Sequence, residues 1–191
     1  MRRIALTAPL IALFLLTSAA PEVEARRPRT ICQCLPQPLG WRWDNAVAVF
    51  SGTVTEIETV TAWVQRGNDD IPVKVTFSID ENFKGVEKGK KFVMHTNMQK
   101  YTCTGYAYEK GKPYLVFAYE RKEETYERWS QYDFPSGTYD VGGLCGGIKP
   151  LEGEEAATEI EEIKSKPKDD KVLEEKDGVF GLPPEKPPSA H

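Results

Sequence analysis

Histidine is almost missing from this chain: two occur in 191 residues, His95 and the terminal His191. A histidine-based triad or a three-histidine metal site therefore cannot be assembled. The zinc-peptidase signature HExxH, the nucleophile elbow GxSxG and a phosphate-binding loop are absent too. "VGGLCGGIKP" is rich in glycine but has no Lys-Ser/Thr pair to grip phosphates, and its cysteine suits a bridge in a tight turn. Acidic residues abound without a spacing that singles out a pair, so an enzyme is not expected. No Asn-x-Ser/Thr acceptor occurs, and only the first segment is strongly apolar.

That first segment reads as an export signal. Arg2 and Arg3 precede "IALTAPLIALFLLTSAA", which then turns polar at "PEVEARRPRT". Pro9 interrupts the run, which is too short and poorly flanked for a membrane span, and none is expected elsewhere. Val23 and Ala25 are the small residues a leader peptidase favours ahead of its cut, whereas Pro21 blocks cleavage after Ala20. The expected division is a leader over 1–25, a basic arm over 26–31, one domain over 32–166 and an acidic, proline-rich, disordered tail over 167–191. The product is expected outside the cell, or in the periplasm of a Gram-negative source. Ile31 is too large to precede a lipidated cysteine.

Cysteine is scarce but even in number: Cys32, Cys34, Cys103 and Cys145. In an oxidising compartment this suggests two disulfides rather than a metal site. Joining Cys32 to Cys34 would close a strained ring, so each is expected to reach a partner about 70 or more positions away. A loop of that length stabilises by ~4 to 5 kcal/mol on the chain-entropy account.

Charge separates body from tail. Residues 26–150 hold 17 Lys and Arg against 15 Asp and Glu, whereas 151–191 hold 6 against 12. The body is too weakly basic, and the tail too acidic, to favour nucleic acid. In "LEGEEAATEIEEIK", Ala156, Ala157, Ile160 and Ile163 recur at helical spacing and predict a helix docked on the body. Beyond it, charge and proline dominate, which predicts disorder.

The body predicts strands. Val73, Val75, Phe77 and Ile79 alternate with polar residues. "AVAVFSGTVTEIE" reads as a long strand with a bulge or sharp coil at Gly52. "KFVMHTN", "PYLVFAYE" and "TYERWSQYDF" add further strands, with turns at "KGVEKGK" and "EKGKP". Five or six strands with one helix after them predict an all-β fold, a small closed barrel with a flanking C-terminal helix. Met94, His95 and Met98 are soft or borderline ligands that could suit copper, but strand parity puts Met94 in the core and His95 opposite. Tyr101, Tyr106, Tyr108 and Tyr114 read as wall and core. No cofactor is expected, and a monomer is.

From Cys32 to Lys164 the chain resembles the tissue inhibitors of metalloproteinases and, more broadly, the netrin-like module. The features are "CQCLP", the strand "AVFSGTVTEI", "FKG" at Phe83–Gly85, "CTGYAYEKGKPYLVFAY" and "GGLCGGIKPL" followed by a helix. The resemblance implies a five-stranded oligonucleotide/oligosaccharide-binding-type (OB) barrel and the bridges Cys32–Cys103 and Cys34–Cys145. It also implies a ridge of Cys32, Gln33, Cys34, Leu35 and Pro36 beside Tyr101, Thr102 and Cys103. In the family the leading cysteine is the first residue, and its α-amine and carbonyl chelate a zinc endopeptidase's metal. Here "RRPRTI" precedes Cys32, and an acylated nitrogen cannot chelate as an amine does, so trimming to Cys32 is required. Gln33 stands where potent inhibitors carry a small hydroxyl residue, and the family's third bridge and second domain are missing. The other function the resemblance allows is a non-inhibitory netrin-like binding module, with the cysteines as staples only.

Overall fold

The computed structural model describes residues 37–60, 71–98, 106–121, 137–141, 147–167 and 171–182. The expected strand "TYERWSQYDF" and the leader and arm lie outside these residues.

A short helix α1 (Leu39–Asn45) leads into β1 (Ala48–Thr59), β2 (Ile71–Lys84), β3 (Lys91–Met98) and β4 (Pro113–Glu120). Two short strands follow, β5 (Tyr139–Asp140) and β6 (Ile148–Pro150), then helix α2 (Glu154–Lys164) and a hairpin of β7 (Glu175–Lys176) and β8 (Val179–Phe180). β1, β2 and β3 form an antiparallel meander, and β4 returns to pair with β1. The order β4-β1-β2-β3 is that of a Greek key, with β5 beyond β4.

β1 and β4 bury residues on both faces, because the sheet carries a core on each side there. On one side lie Phe50, Val54, Val75, Phe77, Ile79, Phe92, Met94 and Val116, the alternating set expected for β2 among them. On the other lie Val49, Leu115 and Phe117, covered by Trp43 of α1 and Ile163 of α2. The expected docking of α2 is thus observed, with Ala156 and Ile163 buried and Ile160 partly so. Ala157 is exposed, and Glu159 takes the fourth place on the inward face.

The β1–β2 register slips between Ser51 and Gly52, where the sequence predicts a bulge. A Cβ on Gly52 would meet the Ser78 carbonyl oxygen at 2.7 Å, so only glycine allows the strands this close.

Two expectations need correction. The fold is mostly β with two helices, but the sheet is an open, mixed one of eight strands, not a closed five-stranded barrel. Its outer edges are occupied piecemeal. β6 pairs with β4 at Tyr114–Val116 and β5 at Tyr119–Glu120, while β8 lies parallel on β3 at Lys91–Phe92. β8 also fills space beside β5, since a Cβ on Gly181 would crowd both the Val93 carbonyl and the Tyr139 ring.

The second correction concerns the tail expected to be disordered. Within it, residues 171–182 pack on the body: Phe180 is fully buried among the core aromatics, and Leu173 donates to the Gly85 carbonyl at 2.9 Å. Asp177 and Gly178 both have positive φ, 53° and 79°, the conformation of a two-residue type I′ hairpin turn. The composition of the tail is that of a disordered segment, yet an Asp-Gly turn, Phe180 and Leu173 hold residues 171–182 against the body.

Candidate functional site

Cys32, Gln33, Cys34, Leu35, Pro36, Tyr101, Thr102, Cys103 and Cys145 all lie outside the described residues. Described residues begin two or three positions beyond Cys34, Cys103 and Cys145, and these define three supports.

The first support begins at Gln37, three positions after Cys34. α1 starts at Leu39 with Pro38 as N-cap, no side-chain cap and no acidic residue in its first turn. Seven residues with such ends would not hold a helix alone, so its packing must. Arg42 supplies most of the polar part: its Nε donates to the Gln37 carbonyl at 3.1 Å, and its guanidinium lies 4.7 Å from the centre of the Phe117 ring. It also forms an ion pair with Glu159 of α2, whose other oxygen meets Lys149 Nζ at 2.7 Å. Arg42 and Glu159 are both buried. Desolvating two charges is costly unless they are paired, and Glu159 is paired with both Arg42 and Lys149. Leu39, Arg42, Lys149, Glu155, Thr158, Glu159 and Glu162 line an open cleft of about 320 Å³ here.

Trp41, on the outer face of α1, is 49% exposed and leans on Tyr119 with ring centres 6.2 Å apart. Burial pushes the Tyr119 hydroxyl up to about 12, against an opposing effect of the Arg42 charge.

The second support flanks Cys103. Tyr106 forms a parallel bridge to Met98 at the end of β3, and its N–H donates to the Asn97 carbonyl at 3.2 Å. Its ring packs edge-on against Tyr108 and Tyr114, at 5.4 and 5.7 Å, and these two continue to Phe77. The expected role of these tyrosines as wall and core is what they show; Tyr101 lies outside the described residues.

The third support flanks Cys145. Gly147 accepts a hydrogen bond from the Phe117 N–H at 2.6 Å and sits so close to the Phe117 and Val141 carbonyls that a side chain would not fit. Phe117 is therefore shared by the first and third supports.

One further polar cluster joins β3 to β5. Arg121 donates to the His95 carbonyl, pairs with Asp140 at 2.5 Å and lies 3.4 Å from Thr138 Oγ1. The His95 imidazole is held down to about 4, chiefly because burial disfavours its charge, with the Arg121 and Lys74 charges adding to the effect. A neutral imidazole is thus the resting form near neutral pH. Met94, beside it, is in the core as strand parity predicts.

Among the described residues no group of three or more His, Cys, Asp or Glu side chains is placed to hold a metal ion. No described helix is long and apolar enough to cross a membrane. The sequence reading did not find Arg42, Trp41, Arg121 or Phe180; for the first two, the aromatic-basic-aromatic run "GWRWDN" was the available signal. No family model matches the chain, and no curated protein matches it.

Proposed function

We propose that this chain is an exported netrin-like domain of the metalloproteinase-inhibitor kind. Its ridge is Cys32 to Pro36, with Tyr101, Thr102 and Cys103 alongside, and its partner is a zinc endopeptidase. The observation that carries the reading is the Greek-key order β4-β1-β2-β3, with β5 beyond β4 and α2 docked behind. A Greek-key strand order is one that OB-type folds also use, and this supports the reading.

Two features support the mechanism. Gln37, the residue after the proposed ridge, is bonded to Arg42 of α1, and Arg42 also reaches α2 and β4. Disulfides from Cys32 and Cys34 would tie it at two further points. A segment so held loses little conformational freedom on docking, so more of the contact energy appears as affinity. The α-amine of Cys32 and its carbonyl oxygen then chelate the protease's zinc, and Gln33 enters the pocket beyond it. An amide nitrogen at Cys32 cannot take this role, so the arm at 26–31 acts as a block until it is trimmed.

Two forms, one starting at Arg26 and one at Cys32, separate the outcomes when assayed against a panel of zinc endopeptidases. The Cys32 form is expected to inhibit more strongly, and acetylating its terminus to remove the difference. Equal inhibition by both forms would exclude amine chelation. No inhibition by either would favour the non-inhibitory netrin-like module, with the cysteines as staples.

A further inference from the structure

Only one glycine of the chain follows an aspartate or an asparagine, Gly178 after Asp177. The pair forms the turn between β7 and β8, whose ladder joins Glu175 to Phe180 and Lys176 to Val179, so the Gly178 nitrogen lies outside the pairing. Asp177 is exposed and, among the described residues, is the one non-glycine residue with positive φ, 53°. No side chain on Gly178 shields its nitrogen from the Asp177 carboxyl group. What opposes their reaction is conformation. In the left-handed region the carbonyl oxygen of a residue lies on the same side as its Cβ, which turns the next nitrogen away from the side chain. The turn is held in that state from outside: the Gly178 carbonyl accepts from the Lys91 N–H at 3.2 Å, Glu175 pairs with Lys90 at 2.9 Å and Phe180 is buried in the core.

From this we propose that Asp177–Gly178 is a spontaneous modification site, closed while the hairpin is docked and open when it frays. In the frayed hairpin Asp177 leaves the left-handed region, and the Gly178 nitrogen can attack Cγ of the protonated side chain. The new N–Cγ bond closes a five-membered succinimide, and the carboxyl OH departs with the proton of that nitrogen as one water. Water then adds to the main-chain carbonyl carbon of Asp177, and the bond from that carbon to the Gly178 nitrogen breaks. The product is isoaspartate, with no electrons transferred and the overall mass unchanged. Its main chain runs through Cβ and Cγ, one carbon longer between Lys176 and Val179. A two-residue type I′ turn has no place for that carbon, so the Lys91–Gly178 bond and the seat of Phe180 are lost together. Fraying of so short a ladder is a low-energy opening, and the reaction makes it one-way.

The test incubates the full chain in mildly acidic buffer, where the carboxyl group is protonated often enough to react, beside a synthetic peptide of residues 171–182. Isoaspartate is read as a peptide of unchanged mass and altered retention that accepts a methyl group from an isoaspartyl-specific methyltransferase. The folded chain should react at least about tenfold more slowly than the peptide, because only its open fraction reacts. Phe180→Ala should react at close to the peptide's rate. Urea below the melt should speed the natural chain in the same direction, so the result does not rest on that variant folding. Asp177→Gly, which keeps a turn that Gly-Gly also forms, should yield no isoaspartate. The isomerised chain, once separated, should melt lower than the unmodified one and close to Phe180→Ala. Equal rates for folded chain and peptide overturn the protection by docking. Absence of isoaspartate from both overturns the site, and an isomerised chain that melts with the unmodified one overturns the loss of the turn.

Discussion

Arg121, one residue beyond β4, donates to the main-chain carbonyl of His95 in the middle of β3. It thereby ties together two strands that share no ladder, and its pair with Asp140 at 2.5 Å includes β5 in the same tie. Side-chain bonds here do what backbone bonds do in a closed barrel. The guanidinium suits the task because its donors are fixed in one plane and can serve a carbonyl and a carboxylate at once.

Arg121→Met should therefore cost about 2 to 4 kcal/mol, since it leaves the partly buried Asp140 carboxylate and the His95 carbonyl without their shared partner. Arg121→Lys should recover less than half of this, because a point charge cannot replace the fork. Urea melts of the two variants, together with Asp140→Asn and the double variant, give the coupling. Additive losses would show that Arg121 and Asp140 do not act as a pair.

His95 should make the fold acid-sensitive. Its imidazole titrates at about 4 when folded, below the ordinary value of 6.5, because burial and the Arg121 and Lys74 charges oppose protonation. The unfolded chain therefore takes up the proton first as pH falls. The stabilising contribution is complete above the unfolded value and is lost as pH drops from 6.5 towards 4. A separation of this size corresponds to about 3 kcal/mol. Melting temperatures between pH 7 and pH 4 should fall in the natural chain and fall markedly less in His95→Gln. Parallel pH profiles for the two would remove His95 as the cause.

Phe180→Ala should cost about 3 to 5 kcal/mol, the range for emptying a buried aromatic site. Ending the chain at Pro167 should cost at least as much, because the Leu173–Gly85 bond and the Lys90–Glu175 pair go with it. Leu182→Ser, at an exposed position of the same segment, should change stability by no more than about 0.5 kcal/mol. Thermal melts of the three decide the matter. An unchanged melting temperature for Phe180→Ala would mean that the hairpin does not dock in solution.

Much of this fold was legible in the order of residues. Val73, Val75, Phe77 and Ile79 alternate because one face of β2 packs inward, and Gly52 marks the place where two backbones approach too closely for a Cβ. Ile160 and Ile163 recur as a helix demands. Less legible were β5 and β6, whose two and three residues carry no period, and α1, which has no cap and is held by Arg42 and Trp43 through tertiary contacts alone. The tail hid its hairpin in another way. "EKDGVF" holds a strong Asp-Gly turn signal, but the surrounding charge and proline outweighed it in any reading by composition. Open sheet edges are not visible in sequence at all, because closure depends on which distant segment reaches each edge first. The proposed ridge was read from a Cys-x-Cys start; what holds the chain next to it, an arginine on one helix and a glutamate on another, has no local signature.

Cysteine pairing can be checked directly. Gln37 is tied to Arg42, Arg42 covers Phe117, and Gly147 bonds to the Phe117 backbone. Cys34 is three residues before Gln37 and Cys145 two before Gly147. The pairing to test is the one that the family resemblance implies. Non-reducing peptide maps of the exported protein should show Cys34 with Cys145 and Cys32 with Cys103. A crossed pairing, or free thiols, would remove the inhibitor resemblance at its root.

Arg42 should matter to the ridge without touching a protease. It joins the segment after Cys34 to Phe117 and Glu159, so its removal frees the start of α1 while leaving any disulfides in place. Arg42→Met strands the buried Glu159 with Lys149 alone and should cost about 2 to 4 kcal/mol. Pairing it with Glu159→Leu should restore most of that, since an apolar pair of similar volume needs no desolvation. In the form beginning at Cys32, Arg42→Met is expected to weaken inhibition about tenfold at temperatures well below its melt, mainly through faster dissociation. The double variant distinguishes the causes. Recovery of both stability and inhibition would mean that any firm packing of α1 suffices to hold the ridge. Recovery of stability alone would mean that the Arg42–Gln37 bond itself sets the position of the preceding residues. Full inhibition by Arg42→Met would show that the disulfides fix the ridge unaided and that α1 is no part of its support.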